Sequence, residues 1–203
     1  INLYLLISGE VKQIKNPKEF FDSNQGITNE VANVVRRAFG RPLDFKDIYQ
    51  HLVLPETVYL LLQKNKPVAM ASYNAKIISG FPSIIVEGIA VDPKFQGRGV
   101  FRELTSLENT TEAVILLRTQ SPRMYAALAN YCSFVHPTIG QMPEAVRGLQ
   151  KGFAAYLNCN ADQRGIVRGH YGGLLYGTEP QHTRFSKLLK KDLLGQWSVL
   201  KVK

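Results

Sequence analysis

Cysteine, histidine and long apolar runs are what this chain has least of. Among 203 residues there are two cysteines, Cys132 and Cys159, and they form no CxxC pair. A disulfide framework is thereby excluded, and reduced thiols in a cytoplasmic protein are expected. The four histidines, His51, His136, His170 and His182, fall at no metal-ligand spacing, so no metal site is expected. No apolar run approaches the roughly 20 residues that cross a bilayer. The apolar opening, Ile1 to Ile7, lacks a basic flank and is too short for a secretory signal. It reads as a first strand, and the first residue, Ile1 rather than methionine, reads as the mark of a fragment or a processed product. Repeats and low-complexity linkers are missing too, so a single domain over residues 1–203 is expected.

What is present is an ordinary globular composition, 45% hydrophobic and 20% charged, with a formal net charge of +9. Such a surface attracts anions, from nucleic acid to a polyphosphate ligand. The basic residues are nevertheless scattered, the densest cluster being Lys187, Lys190 and Lys191. No nucleic-acid motif and no aromatic–basic strip accompanies them, which argues against nucleic acid as the partner.

The periodicities alternate between strand and helix. Val31, Val34, Val35 and Phe39 recur at three- and four-residue steps, predicting a helix from Thr28, its expected cap, to a stop at Gly40 and Pro42. A shorter helix is predicted over Phe45–Leu52. Thr57–Gln63 and Pro67–Ala75 read as a hairpin around Lys64-Asn65-Lys66, and Gly80-Phe81-Pro82 as a further break. Ser83–Val91 is almost continuously apolar, the pattern of a strand buried on both faces. A helix from Val100, a strand over Ala113–Leu117 and a helix opened by Ser121-Pro122 and running to Tyr131 follow. Glu144–Leu157 has helical spacing, and Gly165–Gly177 alternates like strand. The expected fold class is α/β, a mixed sheet flanked by helices.

The chemistry is expected where the apolar strand ends: Ile89-Ala90-Val91-Asp92-Pro93, then Gln96-Gly97-Arg98-Gly99-Val100-Phe101 opening a helix. The first amides of a helix lack partners in their own helix and carry the positive end of its dipole. Glycines let a bulky anion approach that backbone, so the unit can cradle a diphosphate through main-chain N–H groups, with Arg98 adding charge nearby. Two other phosphate motifs are excluded: a GxGxxG would need glycine where Arg102 stands, and no Gly-Lys-Ser/Thr is present.

The segment resembles the acetyl-CoA signature of the GNAT N-acetyltransferase superfamily, Q/R-x-x-G-x-G/A, departing from it at the last position, Phe101. The element order resembles that family over about residues 1–135, the cofactor-binding core, with residues 136–203 as an extension on the acceptor side. The resemblance implies a GNAT-like mixed sheet, acetyl-CoA as cosubstrate, and acetyl transfer to an amine-bearing small molecule or peptide. It further implies that Ile89, Ala90 and Val91 pair with the pantetheine arm and that the amides from Gln96 to Phe101 hold the pyrophosphate. A homodimer stays open.

Amine acetylation needs a base for the amine's proton and benefits from an acid for the departing thiolate. Glu87 is the candidate base: alternation places it beside Ile85 and Ile89, where burial would desolvate the carboxylate and sharpen its appetite for a proton. A structural carboxylate paired with a basic residue is the alternative. For the acid, the resemblance points to a tyrosine on the helix after the fifth strand, either Tyr131 or Tyr125, with an ordinary core tyrosine as the alternative for each. Arg168, His170, Tyr171 and Tyr176 suit an acceptor loop or a plain strand pair equally. A domain that binds acyl-CoA without turning it over is the competing function.

Overall fold

Two tight turns set the strand pattern. The structure is a computed structural model that describes residues 9–108, 112–136, 142–182 and 195–202, the last stretch as backbone alone. The strand expected at Leu3–Ile7 and the cluster at Lys187, Lys190 and Lys191 lie outside those residues. Lys64 and Asn65 both hold positive φ, 50° and 59°, between Gln63 and its partner Lys66. Two consecutive residues of that kind make the mirror-image turn whose twist matches a hairpin. Ser79 and Gly80, at 50° and 83°, repeat it one strand later.

The chain forms two compact units, Ile1–Asn74 with Val86–Glu108, and Ala75–Ile85 with Asn109–Lys203. The first contains β1 (Glu10–Ile14), α1 (Pro17–Ser23), α2 (Gln25–Phe39), α3 (Phe45–Val53) and β2 (Thr57–Gln63). It also holds most of β3 (Lys66–Ile78), the second half of β4 (Phe81–Val91), a 3-10 turn (Pro93–Phe95) and α4 (Val100–Glu108). Its strand order is β1-β2-β3-β4, with β1 and β3 both antiparallel to β2 and a bulge between Leu61 and Leu62. Phe21 of α1, Val31, Ala32 and Val35 of α2, and Ile48 and Leu52 of α3 close over Val58, Leu60, Met70 and Ala90 as one core.

The apolar spacing of α2 reads correctly, but its start does not. The helix begins three residues before Thr28, with Asn24 at the cap. Thr28 is fully buried inside the helix, where its hydroxyl donates to Phe21 O (2.8 Å) and Asn24 O (3.0 Å). A buried threonine that finds acceptors in a preceding turn has no reason to end the helix. Gly40 stops it as expected: at φ 66° its amide donates back to Arg36 O. Phe81-Pro82 is no break, because both residues already belong to β4. Nor is β4 buried throughout: Ser83–Val86 are buried, whereas Glu87, Gly88 and Ile89 are only half-buried.

The second unit takes the tip of the β3–β4 hairpin, β5 (Val114–Thr119), α5 (Pro122–Tyr131), β6 (Phe134–His136), α6 (Glu144–Tyr156), β7 (Ile166–Arg168) and β8 (Gly195–Val202). Ser121 caps α5 by accepting from Met124 N, with Pro122 at the first helical position, as the sequence predicts. β8 is antiparallel to β5 and, beyond it, to β6 and β7. Only Ile166–Arg168 of the expected Gly165–Gly177 strand is strand. Val146, Leu149 and Phe153 of α6 pack on Ile78, Ile85, Val114 and Leu116.

Two glycines of α6 offer a paired test of that packing. A Cβ on Gly152 would sit 2.4 Å from Ser79 Oγ and 2.9 Å from Ile78 Cγ2, whereas one on Gly148 meets nothing within 4 Å. Alanine gains just under about 1 kcal/mol of helix propensity at either site, but overpacking costs about 1–3 kcal/mol. Gly152→Ala is therefore expected to lower the urea midpoint and Gly148→Ala to raise it.

Candidate functional site

The loop expected to carry the chemistry is held by its own residues and by α2. Asp92, 8% exposed, ends β4, and its amide donates to Val68 O at 2.9 Å. Its carboxylate accepts from Lys94 N at 3.1 Å, capping the 3-10 turn, and from Arg37 Nε at 2.7 Å. Burial pushes the Asp92 carboxyl up, but the Arg37 guanidinium and the Lys94 amide outweigh it and leave the group below its usual value. Because the folded state holds this carboxyl more acidic than the unfolded chain does, its stabilisation is present above the ordinary carboxyl value and is lost as pH falls through the depressed one. Asp92→Asn is expected to cost about 1 kcal/mol at pH 7, and that deficit should close in urea titrations as the pH falls through the depressed carboxyl value.

Beyond the turn, Gln96 Nε2 donates to Val91 O at 3.0 Å, tying the loop back to its strand, and the Arg98 guanidinium lies 5.4 Å from the centre of the Phe95 ring. Gly97 and Gly99 stand at φ 74° and 83°, where an L side chain is strained. All four residues from Gln96 to Gly99 are exposed, and a Cβ built on either glycine meets no protein atom within 4 Å. Glu103 N donates to Gly99 O at 3.0 Å, so the second glycine already accepts from the first turn of α4. The stretch is exposed backbone ahead of a helix, and the two glycines leave room for a ligand to approach it closely.

Phe101 departs from the signature without closing the cradle. It is 8% exposed and, with Val100 and Leu104, belongs to the core. The helix carrying the loop is fixed further by groups that the sequence pattern did not single out. Tyr73 Oη and Thr105 Oγ1 share a buried hydrogen bond of 2.9 Å, and Tyr59 Oη donates to Glu108 Oε2 at 2.9 Å while accepting from Gln13 Nε2 at 2.7 Å. Burial and then the Glu108 carboxylate push the Tyr59 phenol far above its ordinary range, so it stays protonated. Buried hydroxyls of this kind leave no trace in a hydrophobic periodicity, because tyrosine reads there as an apolar residue.

Of the other expected site residues, Glu87 lies in the same unit as the loop, on β4 and only half-buried, so the full desolvation expected of it is not realised. Its Oε1 accepts from Asn74 Nδ2 at 3.0 Å. Ile89, Ala90 and Val91 are the last three residues of that strand, with Ala90 3% exposed. Tyr125 and Tyr131 belong to the second unit, in the first and last turns of α5; Tyr125 is buried and Tyr131 half-buried.

In the same unit Gln120 straps the tail down, donating to Gly173 O and accepting from Leu175 N, each at 2.8 Å. His170 and Tyr171 meet edge to face, 5.2 Å apart, just after Arg168 ends β7. Burial, with the Arg118 charge assisting, lowers His170 below its ordinary value, and burial pushes Tyr176 up to about 12. Both are therefore neutral at pH 7. Among the described residues no group of His, Cys, Asp and Glu could hold a metal ion, and no helix is long and apolar enough to cross a membrane.

In fold the chain is similar to solved GNAT-family acetyltransferases. One is the ribosomal-protein-S18-alanine N-acetyltransferase of Escherichia coli, at 14% identity over 67% of this chain and 86% of that one, TM-score 0.45. Another is the IAA acetyltransferase of Bacillus cereus, at 11% identity over 97% and 100%, TM-score 0.47. A GNAT-family acetyltransferase of Streptococcus pneumoniae aligns at 18% identity over 66% and 99%, TM-score 0.43. No protein-family description and no curated protein sequence matches the chain.

Proposed function

We propose that this protein binds acetyl-CoA and transfers the acetyl group to a primary amine of a small-molecule or peptide acceptor. The observation that carries the reading is the open pair of positive-φ glycines, Gly97 and Gly99, ahead of α4. Main-chain groups of Ile89, Ala90 and Val91 receive the pantetheine arm like an added strand, and the amides from Gln96 to Phe101, with Arg98 beside them, hold the diphosphate. Glu87 takes the proton of the amine as its nitrogen attacks the thioester carbonyl. The C–S bond breaks, and the thiolate takes a proton from Tyr131 or Tyr125. The two units belong in this reading to one acetyltransferase domain.

The test is calorimetry with acetyl-CoA alongside an assay of free CoA across spermidine, glucosamine 6-phosphate, kanamycin and an alanine-initiated peptide. Heat of binding together with CoA release on at least one amine is the expected result. Heat without turnover on any of them returns the protein to acyl-CoA binding without catalysis, and no heat ends the assignment. Tyr131→Phe and Tyr125→Phe, assayed separately, identify the acid as the one whose loss lowers kcat.

A further inference from the structure

Asn74 is not an obvious residue from the sequence: it stands in β3, thirteen positions before the carboxylate it meets. Its Oδ1 accepts the main-chain amide of Glu56 at 2.8 Å, and its Nδ2 donates to Glu87 Oε1 at 3.0 Å. The two contacts dictate each other. Only the oxygen of a carboxamide can accept from an N–H, so the Glu56 amide decides which way the group faces and turns the NH2 toward β4. A reversed amide would set N–H against N–H and oxygen against carboxylate, losing both bonds. Glu56 lies immediately ahead of β2 and Asn74 on β3, so the donor that Glu87 meets is held from two neighbouring strands.

A glutamate on a half-open strand has three side-chain torsions to fix before its oxygen can meet a substrate proton. Anchoring one oxygen removes most of that freedom in advance, and this is where reactions of positioned groups gain most of their advantage. We propose that Asn74 is a positioning residue that holds the Glu87 carboxylate in place to receive the proton of the acceptor amine. This rests on Glu87 being the base.

Asn74→Asp is the informative variant. It keeps an oxygen for the Glu56 amide and so preserves that half of the bridge, but it puts an oxygen where Glu87 needs a donor. With acetyl-CoA and the same amine panel, Asn74→Asp is expected to lower kcat about tenfold while the KM for acetyl-CoA stays unchanged, and the urea midpoint should fall because two carboxylates then face each other. Combined with Glu87→Gln it should add no further loss, because a positioning residue has nothing left to position. A wild-type kcat in Asn74→Asp, or an additive loss in the double variant, overturns the role of Asn74 and leaves the base standing. An unimpaired Glu87→Gln, or no turnover with any amine, removes the base and Asn74's role with it. Nuclear magnetic resonance supplies a readout that needs no turnover and no altered Asn74. The Asn74 side-chain amide signals of the otherwise native protein should move on Glu87→Gln, and unmoved signals overturn the contact itself.

Discussion

Gly99→Ala is expected to weaken acetyl-CoA binding about tenfold to a hundredfold. Two costs add. The backbone at φ 83° strains an L residue by about 1–2 kcal/mol, and relief of that strain would rotate the peptide whose amide faces the ligand. The new methyl meets no protein atom within 4 Å, and in the proposed binding mode it would crowd the diphosphate instead. The same emptiness predicts only a small loss of stability, on the order of 1 kcal/mol, visible as a slightly lower Tm. The contrast that isolates the diphosphate is S-acetylpantetheine, which lacks one: its binding should be the same in the two proteins. Equal affinities for acetyl-CoA in the variant and the native protein would show that the glycine loop does not grip the cosubstrate.

Glu87→Gln is expected to lower kcat about a hundredfold or more, the usual contribution of a positioned proton acceptor, while acetyl-CoA binding measured by calorimetry is unchanged. The substitution is nearly isosteric. Its carbonyl oxygen can still accept from Asn74 Nδ2, so β4 and the hydrogen bond across to β3 should persist and the urea midpoint should hold. What disappears is the capacity to take a proton. A kcat within twofold of the native value would return Glu87 to a structural carboxylate tethered by an asparagine.

The two experiments separate binding from chemistry because the structure places their targets on different stretches. The glycines sit on exposed backbone beyond the end of β4, and Glu87 projects from within the strand. Loss of affinity in the first with normal kcat at saturation, and loss of kcat in the second with normal affinity, is the pattern the proposed division of labour requires.

The sequence was most legible where the backbone conformation itself is the feature. Gly40, the Lys64–Asn65 turn, the Ser121-Pro122 cap and the Gly97/Gly99 loop were all readable because glycine, proline and capping side chains act on φ, ψ and local amides within a few residues. The helical stripes of α2, α3 and α6 were readable because burial on one face repeats at a fixed period. By itself, then, the sequence determined the α/β class, the order of most elements and the place of the candidate cradle. Tertiary structure decided what depends on residues far apart in the chain. It made Thr28 a buried hydroxyl rather than a cap, turned Phe101 into the core, left Glu87 half-buried, and brought Arg37 to Asp92 and Asn74 to Glu87. It also recruited Glu10–Ile14 and Gly195–Val202 as strands, whose polar alternation acquires meaning only from the strand alongside. The reason is physical: local conformation is fixed by neighbours in sequence, whereas the direction and company of a polar side chain are fixed by whichever distant element supplies its hydrogen-bond partner.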